Sequence, residues 1–113
     1  MERKELGRIQ KVSFGFGGYQ DAQIGLWLTL CGGSWGVMAS VGGGWSTIIK
    51  HSEHCQWTEA ERDSGYSTML REVQDILRKA KVEDVGALVG KPIEATFEGM
   101  ALKSWRILEE VLA

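Results

Sequence analysis

Arg106 stands inside an otherwise apolar run, Trp105-Arg106-Ile107-Leu108. A guanidinium in such surroundings is seldom left without a partner. A protein carboxylate such as Asp21 would serve, and so would a ligand phosphate gripped by two parallel N–H donors. Lys103 supplies a second cation three residues earlier. Upstream, the first fifty residues hold most of the 15 glycines and three of the five tryptophans, with almost no charge after Asp21. Two segments concentrate this character: Phe14-Gly15-Phe16-Gly17-Gly18-Tyr19-Gln20-Asp21 and Gly42-Gly43-Gly44-Trp45. Glycines let backbone N–H groups approach a ligand, and aromatic rings offer flat faces on which a base can stack. Phe16, Gly18, Tyr19, Gln20 and Trp45 are therefore candidate ligand contacts, with Trp35 as a further ring and Lys103 and Arg106 as the cations. The same composition also suits a tightly turned sheet that binds nothing.

Catalytic chemistry is poorly served. No Gly-x-x-x-x-Gly-Lys-Ser/Thr loop is present, and Phe14-Gly15-Phe16-Gly17-Gly18 is not followed by a helical pattern, so neither a Walker loop nor a dinucleotide fingerprint is formed. His51, His54 and Cys55 cluster, but a structural zinc site wants four ligands, and only Cys31 could add a thiol. A cysteine nucleophile needs a facing histidine in an electropositive pocket, which adjacency of His54 and Cys55 does not provide. The carboxylates fall mostly on a helix surface or in Glu109-Glu110, without a pairing suited to general acid–base work. The expectation is no catalytic residue, no metal and no cofactor.

The elements that would position these residues read as follows. Residues 7–16 form a strand, with Arg8, Gln10, Val12, Phe14 and Phe16 on one face. Gly17-Gly18 turns the chain. Residues 23–31 form the clearest strand, placing Ile24, Leu26, Leu28 and Leu30 opposite Gln23, Gly25, Trp27, Thr29 and Cys31. Gly32-Gly33 carries a hairpin signature, Trp35 to Val41 forms a third strand that the glycines at 42–44 break, and Trp45 to Lys50 forms a fourth. After a polar loop at 51–57, Thr58-Glu59-Ala60-Glu61 is a capping box that opens a helix to about residue 80. Its apolar stripe is Tyr66, Met69, Leu70, Val73, Ile76, Leu77 and Ala80, with Arg71, Asp75 and Lys79 along one flank. Short helical turns over 82–89 end at Gly90. Pro92 launches a strand to Phe97, Glu98-Gly99 turns it, and 101–108 returns with Lys103, Trp105 and Ile107 opposite Leu102, Ser104, Arg106 and Leu108. The short links favour antiparallel pairing. The fold class expected is α+β: an antiparallel sheet with one long helix packed on it and a C-terminal hairpin, as a single domain over 1–113.

Bulk properties narrow the function. A net charge of −2 argues against duplex nucleic acid as a partner, which needs clustered Lys and Arg. The longest apolar run, Ile24 to Cys31, is too short to span a bilayer. The charged start Met1-Glu2-Arg3-Lys4-Glu5 predicts no signal peptide, and two cysteines make no disulfide framework, so a reducing cytoplasm is the expected setting. Five tryptophans are many for so small a core and predict a homo-oligomer.

Four segments together carry a resemblance: Gly7-Arg8-Ile9-Gln10-Lys11-Val12; Gly17-Gly18-Tyr19-Gln20-Asp21; His54-Cys55-Gln56-Trp57-Thr58; and Leu102-Lys103-Ser104-Trp105-Arg106-Ile107-Leu108. In these the chain resembles small phage proteins, namely the first type of Thoeris anti-defence proteins, over nearly its whole length. The resemblance implies a sponge and not an enzyme. Such proteins sequester the cyclic ADP-ribose isomer made by an immune TIR protein in the host cytoplasm, and some also bind cyclic oligonucleotides. It further implies dimers or hexamers, pockets between subunits, an aromatic ring stacked on adenine and arginines on the pyrophosphate. By residue type, Phe97, Lys103 and Arg106 are the matches in the C-terminal hairpin. The alternative from another functional class is a phage inhibitor that acts on a host defence protein through the acidic helix face of Glu59, Glu61, Asp63, Glu72 and Asp75.

Overall fold

Strand β1, Glu2–Gly17, is the spine of an antiparallel sheet that has five strands among the described residues, and two hairpins share it. The computed structural model describes residues 1–47 and 58–112, apart from the side chain of Tyr19. On the C-terminal half of β1 lies β2, Gln23–Cys31, followed outward by β3, Gly36–Trp45. On its N-terminal half lies β4, Pro92–Glu98, followed by β5, Ala101–Ile107. The order is β3-β2-β1-β4-β5. Helix α1, Glu59–Ala80, packs mainly on β3 and also reaches β5. The sheet is therefore curled, and the helix spans the gap between its two outer strands. This is the α+β architecture expected from the sequence.

Side-chain alternation along β1 is interrupted once. Ile9 stands opposite Leu30 and Lys11 opposite Thr29, so Gln10 is an extra residue in a β-bulge. A bulge resets which residues face the core. Ile9 accordingly shares the core face with Val12, Phe14 and Phe16, through register with Leu30, Leu28, Leu26 and Ile24. The expectation that Arg8 and Gln10 share a face with Val12 is thus corrected. A second irregularity, between Thr96 and Phe97, pairs Phe97 with Leu102 and leaves Lys103 as the extra residue. Leu102 then joins Trp105 and Ile107 on the core face, and Lys103 does not.

The glycine run at 42–44 does not end a strand, because β3 passes through it to Trp45. Its purpose is close approach of the helix. A Cβ on Gly42 would lie 2.6 Å from Met69 Cβ, and one on Gly44 would lie 2.2 Å from the Tyr66 ring. Gly42 also holds a left-handed φ of 57° where the β2–β3 register shifts. Trp45 closes β3 and does not start a fourth strand, while residues 48–50 and the loop 51–57, with His51, His54 and Cys55, lie outside the described residues.

Helix α1 begins as its capping box requires: the Thr58 hydroxyl accepts a hydrogen bond from the Glu61 N–H at 3.1 Å. It ends on Lys81 in the left-handed region, whose N–H reaches the carbonyls of the last turn. Met69, Val73 and Ala80 are buried, Ile76 and Leu77 half-buried, and Leu70 exposed despite its place in the expected stripe. The core joins Ile9, Leu26, Leu28, Leu30 and Val41 to Met69 and Val73 of the helix, and to Leu88, Ile93, Ala95, Phe97 and Ile107. Leu88 belongs to a short 3-10 turn over Val85–Leu88, capped by the Asp84 carboxylate on the N–H groups of Gly86 and Ala87.

Candidate functional site

The curl of the sheet leaves a cleft of about 260 Å³ where α1 meets both outer strands. Ser40 and Val41 enter it from β3, Glu72, Asp75 and Lys79 from α1, and Trp105 and Arg106 from β5. The i, i+3 and i+7 spacing of Glu72, Asp75 and Lys79 puts all three on one side of the helix. Strand β5 brings the indole and the guanidinium to the same place from consecutive positions.

Both cations of the cleft are paired. Arg106 Nε donates to Glu94 Oε1 at 3.0 Å across the β4–β5 ladder. Its Nη1 and Nη2 grip both oxygens of Glu110 at 3.0 and 2.8 Å. The anticipated protein partner, Asp21, is not the one used. The hydrogen bond from Arg106 draws the Glu110 carboxyl down to about 2, and the same two carboxylates hold the guanidinium above its already high value. Lys79 Nζ meets Asp75 Oδ2 at 2.9 Å, which raises the ammonium above its ordinary value. About half of the Arg106 side chain remains exposed, and exposed pairs of this kind are held weakly. The Glu110 carboxylate already occupies the fork as a planar anion would. A phosphate that displaced it would find the same bidentate geometry in place.

The other expected contacts fall elsewhere. Phe97 is 2% exposed: the Trp35 ring meets it edge-on at 5.2 Å, and the Arg3 guanidinium lies 4.9 Å from its centroid. It is a core ring with neither face open to a base, which corrects its expected stacking role. Lys103 pairs with Glu2 and lies 3.9 Å from Glu98, near the tip of the β4–β5 hairpin and apart from the cleft. Phe16, Gly18, Tyr19, Gln20 and Trp45 gather at one end of the β1–β2–β3 sheet, but not on one face. Phe16 aligns with Ile24 and Gly44 on the core side, while Trp45 aligns with Gln23 and Gly17 on the outer side. Gly18 and Gln20 take φ of 75° and 54° in the tight turn that ends at Asp21, whose N–H returns to the Gly18 carbonyl. The Trp45 carbonyl accepts a hydrogen bond from the Tyr66 hydroxyl. Among the described side chains, the residues singled out from the sequence form no single site, and of them only Arg106 lines the cleft.

On the outer face, Trp27 lies across the glycines of β1. Its Nε1 donates to the Gly15 carbonyl at 2.9 Å, and a Cβ on Gly17 would lie 2.5 Å from the indole. These glycines seat a ring; they do not cradle a phosphate. Among the described residues no group of three His, Cys, Asp or Glu side chains could hold a metal ion, and no helix is long and apolar enough to cross a membrane.

Sequence reasoning missed Ser40, Trp105 and Lys79 as companions of Arg106. The alternation in β5 set Trp105 on the face opposite Arg106, and only the curl of the sheet brings the helix flank over the strand edge that both share. Comparison with protein-family models, with curated proteins and with solved structures finds no match to this chain.

Proposed function

We propose that this protein is a sponge: it binds a cyclic nucleotide signal, of which a cyclic ADP-ribose isomer is the leading example, and holds it unaltered. The observation that carries this reading is the convergence of the Trp105 indole, the Arg106 fork, the Lys79 ammonium and the Ser40 hydroxyl on one cleft. The ring supplies a stacking face of the kind worth roughly 1–3 kcal/mol per base. The two cations address phosphates, exchanging Glu110 and Asp75 for ligand oxygens. A cleft of about 260 Å³ is small for a dinucleotide-sized molecule, so a second copy of the chain completes the enclosure, and the working form is a homo-oligomer in the host cytoplasm. The resemblance in sequence to phage anti-defence proteins names the ligand class.

The test is a thermal-shift panel of cyclic ADP-ribose isomers and cyclic di- and trinucleotides, followed by calorimetry and recovery of the ligand. A ligand that binds only the folded state at a hundredfold excess over Kd adds about 2.7 kcal/mol of stability. The expected result is a clear shift with one class, that ligand recovered chemically intact, and loss of the shift in Arg106→Ala with the fold retained. A changed ligand would make the protein an enzyme. A silent panel would refute the sponge and favour a protein-directed inhibitor, for which α1 carries the exposed carboxylates Glu59, Glu61, Asp63, Glu72 and Asp75.

A further inference from the structure

Negative charge is missing from one half of the sheet. Residues 8–17, 23–31 and 36–45, which make its β1–β2–β3 half, contain no Asp or Glu, although the chain carries 15. They contain two cations, Arg8 and Lys11, and the register sets both on the outer face, opposite Cys31 and Thr29. Both are exposed, and neither has an ion pair or side-chain hydrogen bond among the described residues. On the adjoining part of this face, Glu94 stands opposite Leu6, but Arg106 already holds it. A protein of net charge −2 thus presents a face with two free positive charges and no negative one. Beside Lys11 this face has a recess of about 200 Å³. Thr29 lies between Lys11 and Met38 in the register, and Ser13 and Trp27 form the next row. The indole is fixed, because its Nε1 donates to the Gly15 carbonyl and its ring rests against Gly17. Met38 is 76% exposed, a large apolar side chain left in water.

We propose that this face docks an acidic segment of a partner protein. One Phe or Tyr ring of that segment enters the recess between Trp27 and Met38, and the carboxylates that flank it meet Lys11 and Arg8. Size sets the anchor: a cavity of roughly 150 Å³ takes a benzene ring, so this recess takes one monocyclic side chain. Chemistry matches it, since a ring gains from an edge or face of Trp27 and from the Met38 sulfur. Charge complementarity sets the flanks and rejects basic segments. A rigid ring in a preformed wall loses little freedom on binding, as interface anchors require. A single-stranded nucleic acid is served less well. It needs cations that track its backbone and successive rings to stack on, and the recess offers one ring and one adjacent pair of cations. The recess shares no described lining residue with the cleft at Arg106, so this inference stands whatever the cleft binds.

An NMR titration of the isotope-labelled full chain with the synthetic peptide acetyl-Asp-Glu-Phe-Glu-Asp-amide tests it. The expected result is saturable shifts at the Lys11 amide, the Trp27 indole N–H and the Met38 methyl group. Lys11→Glu should weaken binding about tenfold, as reversal of a close charge pair does, and added salt should weaken it further. Met38→Ala, and separately a peptide with alanine in place of phenylalanine, should each bind several-fold more weakly. Arg106→Ala should bind the peptide as the wild type does. The substituted side chains at 11 and 38 are exposed, and the spectrum of each variant reports whether its fold is kept. Absence of shifts overturns the proposal, as do shifts centred on other residues, unchanged affinity in Lys11→Glu, or equal binding of the alanine peptide. Oligothymidylate moving the same signals while the peptide leaves them still would give the face to nucleic acid and overturn it. Movement of those signals with protein concentration alone would give it to a second copy, and overturn it too.

Discussion

The contact of α1 on β3 makes a demand on Gly44 that can be measured. Alanine there places a methyl group 2.2 Å from two carbons of the Tyr66 ring, far inside van der Waals contact. The ring cannot swing away freely, because its hydroxyl is tied to the Trp45 carbonyl on the neighbouring residue. Either the helix lifts from the strand or the ring leaves and the hydrogen bond breaks. Overpacking of this kind costs about 1–3 kcal/mol, and a lost hydrogen bond about 1 more. Gly44→Ala is therefore expected to destabilise the fold by about 2–4 kcal/mol, which for a chain of 113 residues lowers Tm by roughly 8–20 °C. Urea unfolding followed by circular dichroism measures it, and a double-mutant cycle identifies the cause. In a Tyr66→Ala background the added methyl meets open space, so Gly44→Ala should cost less by at least about 1.5 kcal/mol. In Tyr66→Phe the ring remains, and the penalty should stay large. Equal penalties in the wild type and Tyr66→Ala would refute the reasoning, because the glycine would then serve something other than the ring.

Other expectations follow from the same geometry. Thr58→Ala removes the N-cap of α1 and should cost about 1 kcal/mol in chemical denaturation, with Thr58→Ser nearly silent. The Glu110 carboxyl is held down to about 2 by Arg106, so its contribution to stability is complete above the ordinary 4.5 and fades as pH falls toward 2. An NMR titration should find Glu110 low in the wild type and raised toward its ordinary value in Arg106→Ala, with the backbone hydrogen bond still holding it below. Glu110→Gln removes the charge that competes for the Arg106 fork and should tighten nucleotide binding a few-fold by calorimetry; weaker binding would argue against Arg106 as the phosphate contact. Gly17→Ala drives a methyl into the Trp27 indole and should shift the fluorescence maximum to the red as the ring lifts into water.

What the sequence made legible was whatever depends on local chemistry. The Thr58–Glu61 box, the heptad-like spacing of Met69, Val73 and Ala80, the alternation of Leu26, Leu28 and Leu30, and the turns at Gly32 and Gly99 are each decided by neighbours within a few residues. What it hid depends on contacts between distant segments. A bulge at Gln10 has no residue-type signature, yet it reverses the faces of half a strand. The run Gly42–Gly44 reads as a breaker by composition, and only the presence of Tyr66 and Met69 across the interface turns it into a helix seat. Phe97 and Arg106 illustrate the same limit at the candidate site. Each was chosen for its chemistry, but one is enclosed by Trp35 and Arg3 and the other already holds Glu110. The cleft itself is a product of sheet curl, which leaves no mark on any single segment.

The division of β1 between two hairpins also sets an order of events in folding. Its C-terminal half pairs with β2, the next strand along the chain, and that meander closes over short loops. Its N-terminal half pairs with β4, which lies some 90 residues later in the register Glu2 to Glu98. Closing so long a loop is slow, and on the ribosome the partner emerges well after β2 and β3. The N-terminal half of the strand must therefore wait while its other half is already built into a sheet. A waiting strand is an invitation to aggregate, and the residues that occupy it are Glu2, Arg3, Lys4 and Glu5, the densest run of charge in the strand. Charged edges of this kind discourage chance pairing until β4 supplies Glu98, Phe97 and Thr96 opposite them. The same polypeptide thus carries, in one strand, a half that folds early on apolar contacts and a half that is kept soluble until β4 is available.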